Sequence, residues 1–280
     1  MTTIRRPAIR YFGGKWRIGK WIIDQFPAHA CYVEPFAGGA SVLLQKAPAK
    51  HEVLNDINDD VINFFDVVRS QTGELIRQIQ LTPYSRQELR RAQLSTDDPL
   101  EQARRFYIRC WQSFGSGTGS VKSAAGWRFQ IGAGDNSRAN AVGSWNNTEH
   151  LWAIAERLKH VQIECDDAFS TIQRFDSPET LFYLDFPYVH STRYKNSKYK
   201  GYTHEMTDAD HRRFAELARQ VQGHVIVSGY PCPLYDELYE GWTRSQVKTQ
   251  NILNKSCVEC LWLSPSISNV KQPRLTGMNL

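Results

Sequence analysis

Short apolar runs bounded by turn residues recur along the chain: Cys31–Glu34 (CYVE), 52–54 (EVL), Val161–Glu164 (VQIE), 181–185 (LFYLD), 224–228 (HVIVS) and 258–263 (VECLWL). Continuous runs of this length, without polar alternation, predict strands buried on both faces. Between several of them the apolar period lengthens to that of a helix. Val61, Phe64, Phe65 and Val68 share a face after Asn58, and Phe214, Leu217, Ala218 and Val221 do so after the cap-like Thr207. Strands alternating with helices predict an α/β sheet with helices on both faces and right-handed crossovers. Residues 70–159 break this rhythm. Over 72–113 the spacing predicts helices, with Leu75, Ile76 and Ile79 and then Ala103, Phe106, Tyr107 and Cys110 in phase. Residues 113–147 are rich in Gly, Ser and Asn and poor in aliphatic side chains, so they are expected to form a long mobile loop, of a kind that is usually functional or disordered. The expected organisation is a core of residues 1–69 and 160–280, interrupted by a helical insert over 70–159.

Composition narrows this only a little. Hydrophobic residues make up 41% of the 280, enough for a sizeable core, and exclude a disordered chain. No apolar run approaches the length that crosses a bilayer, and the N-terminal MTTIRRPAIRYFGGK lacks the apolar centre of a secretory signal. The expectation is a soluble cytoplasmic protein. Lys plus Arg number 34 against 29 Asp plus Glu, a net charge of +5, which permits a polyanionic partner without requiring one. The six cysteines are scattered. Cys257 and Cys260 form one CxxC inside a strand-like run, where residues three apart face opposite ways, and no second pair completes a zinc set. No metal site is expected.

Five segments have the residue types for chemistry. Val33-Glu34-Pro35-Phe36-Ala37-Gly38-Gly39 ends a strand and runs into a helix-like pattern, and its glycines allow a ligand close to the backbone. It is not the dinucleotide G-x-G-x-x-G, which counts against a nicotinamide-dependent oxidoreductase, and it lacks the Gly-Lys-Ser/Thr of a phosphate loop. Asn55-Asp56-Ile57-Asn58 follows the next strand. An acid about 20 residues beyond a Gly-rich turn is placed to accept from ribose hydroxyls. Asn58 can cap the following helix while Asp56 binds. Asp185-Phe186-Pro187-Tyr188 delivers a carboxylate, a proline and an aromatic ring to the carboxyl end of an apolar strand, where α/β sheets form their ligand crevices. Tyr11-Phe12-Gly13-Gly14-Lys15 reads by itself as a surface turn. The segment HSTRYKNSKYKGYTH interleaves Arg193, Lys195, Lys198 and Lys200 with Tyr194, Tyr199 and Tyr202. This pattern suits phosphates and base stacking, or else a solvated loop.

In this order and spacing the segments resemble the D12 (Dam-like) family of S-adenosylmethionine-dependent DNA adenine-N6 methyltransferases, with 190–206 and 227–230 similar to its phage and prophage branch. Residues 11–15, 34–39 and 55–58 look like the family's cofactor segments, and 185–188 stands where the family carries Asp-Pro-Pro-Tyr. Residues 113–147 match least.

The resemblance implies a Rossmann-like methyltransferase sheet and a target-recognition insert. It places S-adenosylmethionine against Tyr11, Lys15, Glu34, Phe36, Gly38, Gly39, Asp56, Ile57, Asp167, Ala168 and Asp185, with Asp166 as the alternative to Asp167. It makes Asp185, Phe186, Pro187 and Tyr188 the catalytic segment. Asp185 and the carbonyl of residue 186 would accept the two N6–H bonds, and Tyr188 would stack on an adenine turned out of double-stranded DNA. Arg193, Lys195, Lys198, Lys200, Tyr194 and Tyr199 would hold the DNA. The resemblance admits a cognate restriction endonuclease as partner, and a monomer or weak dimer. Asp rather than Ser at 185 implies adenine. Phe186 departs from the family's proline. It is expected to put a bulky ring beside the cofactor and base, and it sustains a second reading, a weakened relative that binds DNA and cofactor without efficient transfer.

Overall fold

The computed structural model describes residues 4–114, 126–129, 141–193, 202–250 and 256–267. After a short helix α1 (Gly19–Ile23), the chain forms β1 (Cys31–Glu34), β2 (His51–Asn55) and α2 (Asp59–Ser70). A helical stretch follows: α3 (Thr72–Leu81), α4 (Arg86–Arg91) and α5 (Pro99–Gln112), a two-stranded hairpin of β3 (Ser113–Phe114) and β4 (Gly126–Trp127), then α6 (Ala141–Asn146) and α7 (His150–Leu158). The remainder is β5 (Val161–Glu164), α8 (Ala168–Arg174), β6 (Thr180–Leu184), α9 (Asp208–Gln220), β7 (His224–Gly229), α10 (Pro233–Leu238), β8 (Thr243–Gln250) and β9 (Ser256–Leu263).

Seven strands make one sheet in the order β5-β2-β1-β6-β7-β9-β8. The first five in that order are parallel, and β9 and β8 are antiparallel additions at one edge. Each strand expected from an apolar run is present, within a residue or two at its ends. Within this sheet the strand without such a signal is β8, TRSQVKTQ, which alternates between exposed and half-covered positions. An edge strand with one open side needs no apolar run, and its charges discourage further pairing.

Alternate side chains of each strand enter two different cores. Tyr32, Leu54, Leu181, Tyr183, Ile226 and Leu261 pack with α2, α3, α5, α6 and α7. Val33, Val53, Phe182, Leu184, Val227 and Trp262 pack with α8, α9 and α10. The helical stretch therefore shares one continuous core with the sheet.

Capping follows the residue types. Asn58 accepts from Asp60 N–H at the start of α2, Asp98 caps α5, and Thr207 with Asp210 forms a reciprocal capping box on α9. The helix-like pattern after Gly39 does not form an α-helix. Leu44 and Lys46 N–H bond back to Ala40 and Val42, but Leu43 N–H is drawn to Glu34 Oε1 at 2.7 Å, and the segment stays a series of turns.

Candidate active site

β1 and β6 are neighbours, while their successors β2 and β7 lie on opposite sides of that pair. At such a reversal the loops at the carboxyl ends diverge and leave a crevice. Here a cavity of about 540 Å³ opens between residues 34–39 after β1, 56–58 after β2, 167–169 after β5 and 185–187 after β6. Residues 11–15 and 202–206 complete its walls. Its size lies within the range that encloses a cofactor-sized molecule.

The loop after β1 depends on two unusual backbone positions. Gly38 has φ +47°, and a Cβ there would meet the Tyr11 ring at 2.9 Å, so a side chain is excluded twice over. Ala40 has φ +51°, a conformation rarely held by a residue with a Cβ. The turn is closed by Asp56: its Oδ2 accepts from Gly38 N–H at 2.8 Å and its Oδ1 from Asn58 N–H at 2.9 Å. Each oxygen retains a further lone pair for a ligand hydroxyl. Burial raises the Asp56 pKa, while these two N–H donors oppose the rise.

Glu34 is buried at the end of β1. Its Oε1 accepts from Tyr32 hydroxyl and from Leu43 N–H, each at 2.7 Å. Desolvation dominates and pushes its pKa up to about 7 despite these donors. Across the crevice Lys15 Nζ lies 2.8 Å from Asp185 and donates to Gly13 carbonyl at 2.6 Å. Burial alone would lower the Lys15 pKa, but the carboxylates of Asp185 and Glu259 outweigh it and hold the ammonium above its ordinary value. Burial raises Asp185, with Lys15 opposing.

All of the cofactor candidates, from Tyr11 to Asp185, line this one crevice. Of the two adjacent acids, Asp167 faces it. Its Oδ1 caps α8 by accepting from Phe169 and Ser170 N–H, whereas Asp166 pairs with Arg174 at 2.7 Å. Ile57 is 49% exposed at the rim, an apolar face with no core role.

The catalytic segment divides. Asp185 and Pro187 line the crevice; Phe186 and Tyr188 do not. The Phe186 ring is fully buried, 5.5 Å from Phe36, 5.1 Å from His211 and 5.8 Å from Phe214 by ring centroids. The expectation of a bulky ring beside cofactor and base is thereby corrected. Extended backbone sends neighbouring side chains to opposite sides, so Asp185 in the crevice places residue 186 in the core. Tyr188 is buried too. Its hydroxyl bonds Glu259 and Ser228, and the Lys15 ammonium sits 4.8 Å from its ring centroid.

Arg193 is paired with Glu205 at 2.6 Å and lies over the Tyr202 ring. Tyr194, Lys195, Lys198, Tyr199 and Lys200 lie outside the described residues.

Sequence reasoning missed Phe169 and Phe214 as contributors, and read Tyr202 only as an aromatic of the basic segment, not as a wall of the crevice. Tyr202 packs edge-on against Phe12 at 4.9 Å, and its hydroxyl lies 2.5 Å from where a Cβ on Gly13 would be, which explains a glycine there. Phe169 and Phe214 form a tilted pair at 4.0 Å beside Phe36. Phe214 carried only a helix-face signal, and Phe169 none.

Residues 11–256 match the family model of the D12 class N6 adenine-specific DNA methyltransferase. The chain belongs to this family. Among curated relatives, it is 26% identical to the type II methyltransferase M.MjaIII of Methanocaldococcus jannaschii, over 89% of this chain and 93% of that protein. It is 25% identical to the DNA adenine methylase of Haemophilus influenzae (90% and 88% covered) and 23% identical to that of Escherichia coli K12 (90% and 90%). This methyltransferase is accordingly an adenine-N6-specific DNA-modifying enzyme, built on a Rossmann-like α/β sheet. No helix among its described residues is long and apolar enough to cross a membrane.

Proposed function

We propose that the crevice binds S-adenosylmethionine and that Asp185 presents the target adenine to it. When bound, this cofactor supplies a methyl group made electrophilic by its sulfonium. The donor set fits each part of the molecule. The Asp56 carboxylate, at the carboxyl end of β2, suits the ribose hydroxyls. Ile57, Phe36 and Ala168 offer apolar faces to a purine, with Asp167 at its polar edge. Glu34, buried and charged only at some cost, suits a cationic amino group that would repay that cost.

The adenine amino group is a poor nucleophile because its lone pair is delocalised into the ring. Asp185 Oδ and the main-chain carbonyl of residue 186 would accept one N6–H each. Two such acceptors favour a tetrahedral nitrogen whose lone pair is available. This is catalysis by positioning and electrostatics, with no covalent enzyme intermediate. Phe186 supplies the same carbonyl a proline would, and its ring stays in the core, which favours a competent enzyme over a weakened binding relative.

Duplex DNA hides the amino group, so the base must leave the stack, at a cost of a few kcal/mol. The β3–β4 hairpin supports a DNA-facing role for residues 70–159. Trp127 stacks with Phe129, which is 55% exposed, and Arg86 covers Trp127 at 4.7 Å. Arg10 has its pKa lowered to about 10 by burial and then by the nearby Arg128, a concentration of positive charge that a phosphate would relieve. Residues 193–200 add lysines and tyrosines to the same duty. The name of the Methanocaldococcus relative raises a restriction-modification setting with a cognate endonuclease.

The observation that carries this reading is that Glu34, Asp56 and Asp185, from three different strands, open into a single cavity. A thermal shift with S-adenosylhomocysteine but not NAD, together with tritiated methyl transfer to unmethylated duplex DNA, tests it. No shift and no transfer would refute it.

A further inference from the structure

β9 carries an acid where its neighbours are apolar. Glu259 is 4% exposed within SCVECLWL. An isolated carboxylate at such a position costs several kcal/mol, so its partners bear on why it is there. It accepts from the Tyr188 hydroxyl and, at 3.2 Å, from Ser228 Oγ. It also lies 4.0 Å from Lys15 Nζ, the ammonium that pairs with Asp185 at 2.8 Å. Lys15 therefore stands between two carboxylates, one facing the crevice and one behind its wall. Tyr188 closes the circuit, since its ring lies under the same ammonium and its hydroxyl ends on Glu259.

We propose that Glu259 is a positioning residue for methyl transfer. It anchors Tyr188, the last residue of the 185–188 segment, and so fixes the backbone whose carbonyl at 186 would accept from the base. As a second counter-ion, 4.0 Å away, it also shares the Lys15 ammonium that pairs with Asp185 at 2.8 Å, which leaves Asp185 a stronger hydrogen-bond acceptor. The inference rests on the reading of Asp185 as the acceptor of an adenine N6–H. The groups that face Glu259 are Lys15 from the N-terminal segment, Tyr183, Asp185 and Tyr188 from β6 and the turn after it, and Ser228 and Tyr230 from β7 and its end. Cys257 lies on β9 itself, near Tyr230. Lys15 is the cation among them.

Glu259→Gln separates this role from simple satisfaction of hydroxyls, because a glutamine oxygen can still accept from Tyr188 and Ser228. Single-turnover methylation of duplex DNA by the full chain is measured from mildly acidic to mildly alkaline pH, beside S-adenosylhomocysteine affinity. The expected result is a rate lower by roughly ten- to a hundred-fold, because the Lys15 ammonium loses its second counter-ion and shifts against Asp185, a small misplacement beside the reacting centre, with cofactor affinity unchanged. The acidic limb should move to lower pH, because Lys15 then serves Asp185 alone and a like charge is gone. Tyr188→Phe, which leaves the carboxylate in place, should lower the rate with cofactor affinity intact, and the double variant should lose less than the product of the two.

A rate within about twofold of the parent would overturn the proposal, as would multiplicative effects with an unmoved acidic limb, or a loss of cofactor affinity as large as the loss of rate. Failure of the Asp185 reading shows separately, as methylation surviving in Asp185→Ala whatever Glu259→Gln does.

Discussion

Glu34→Gln tests the electrostatics of the crevice with little change of shape. Both donors to Glu34, the Tyr32 hydroxyl and Leu43 N–H, reach the same oxygen, Oε1. A glutamine with its carbonyl oxygen there keeps both bonds, loses the charge and puts an amide NH2 where Oε2 stood. The Glu34 pKa is raised to about 7 from an ordinary 4.5, with desolvation the largest cause. The unfolded chain therefore releases this proton at lower pH than the native one. The stabilising effect of the neutral side chain is fully present below about pH 4.5 and is lost as pH rises through about 7. At 1.36 kcal/mol per pH unit, the buried charge costs the native state about 3 kcal/mol at mildly alkaline pH. The variant should then melt several degrees higher than the parent at that pH and at the same temperature near pH 4.5. Its affinity for S-adenosylhomocysteine should fall, because the negative partner of the amino group is gone. In the parent that affinity should weaken as pH drops through about 7. Thermal melts at both pH values and calorimetric titration make the measurements. Equal stability at the higher pH, or a difference that persists undiminished at the lower, would refute the desolvation argument.

Asp185→Ala should reduce methylation by about a thousandfold or more, the scale of losing a directed polar contact to a reacting group, with S-adenosylhomocysteine binding retained; single-turnover transfer shows it. Asp56→Ala should weaken cofactor affinity more than DNA affinity, and it should also loosen the turn after β1, since Gly38 and Asn58 N–H both lose their acceptor. Phe186→Pro should lower stability by roughly 3 kcal/mol through the cavity it leaves among Phe36, His211 and Phe214, without raising the methylation rate; a faster variant would show that the ring hinders the site. Replacing Lys195, Lys198 and Lys200 with alanine should flatten the salt dependence of DNA binding by about 3 phosphate contacts at most. Arg193→Ala should do so less, because Arg193 is already paired with Glu205.

The chain's own order of residues determined the parallel strands, the helix faces and the location of the crevice. Buried strands must be apolar on both faces, and residues that meet a ligand stand at or just past their carboxyl ends, so Glu34, Asp56 and Asp185 were legible as the acids that end CYVE, EVLND and LFYLD. The edge strand β8 was not, because an exposed strand needs no apolar signature. Nor was the direction in which each residue of 185–188 points. Only the extended backbone after β6, packed between two cores, sent Asp185 to the crevice and Phe186 away from it. The same holds for Glu259, 71 residues from Tyr188, and for Tyr202, which touches Phe12 and Gly13 near the other end of the chain. Local periodicity reports which face of an element is covered. Which distant charge or ring lies opposite depends on how the sheet is ordered and its loops fold back, and that was decided by the tertiary structure.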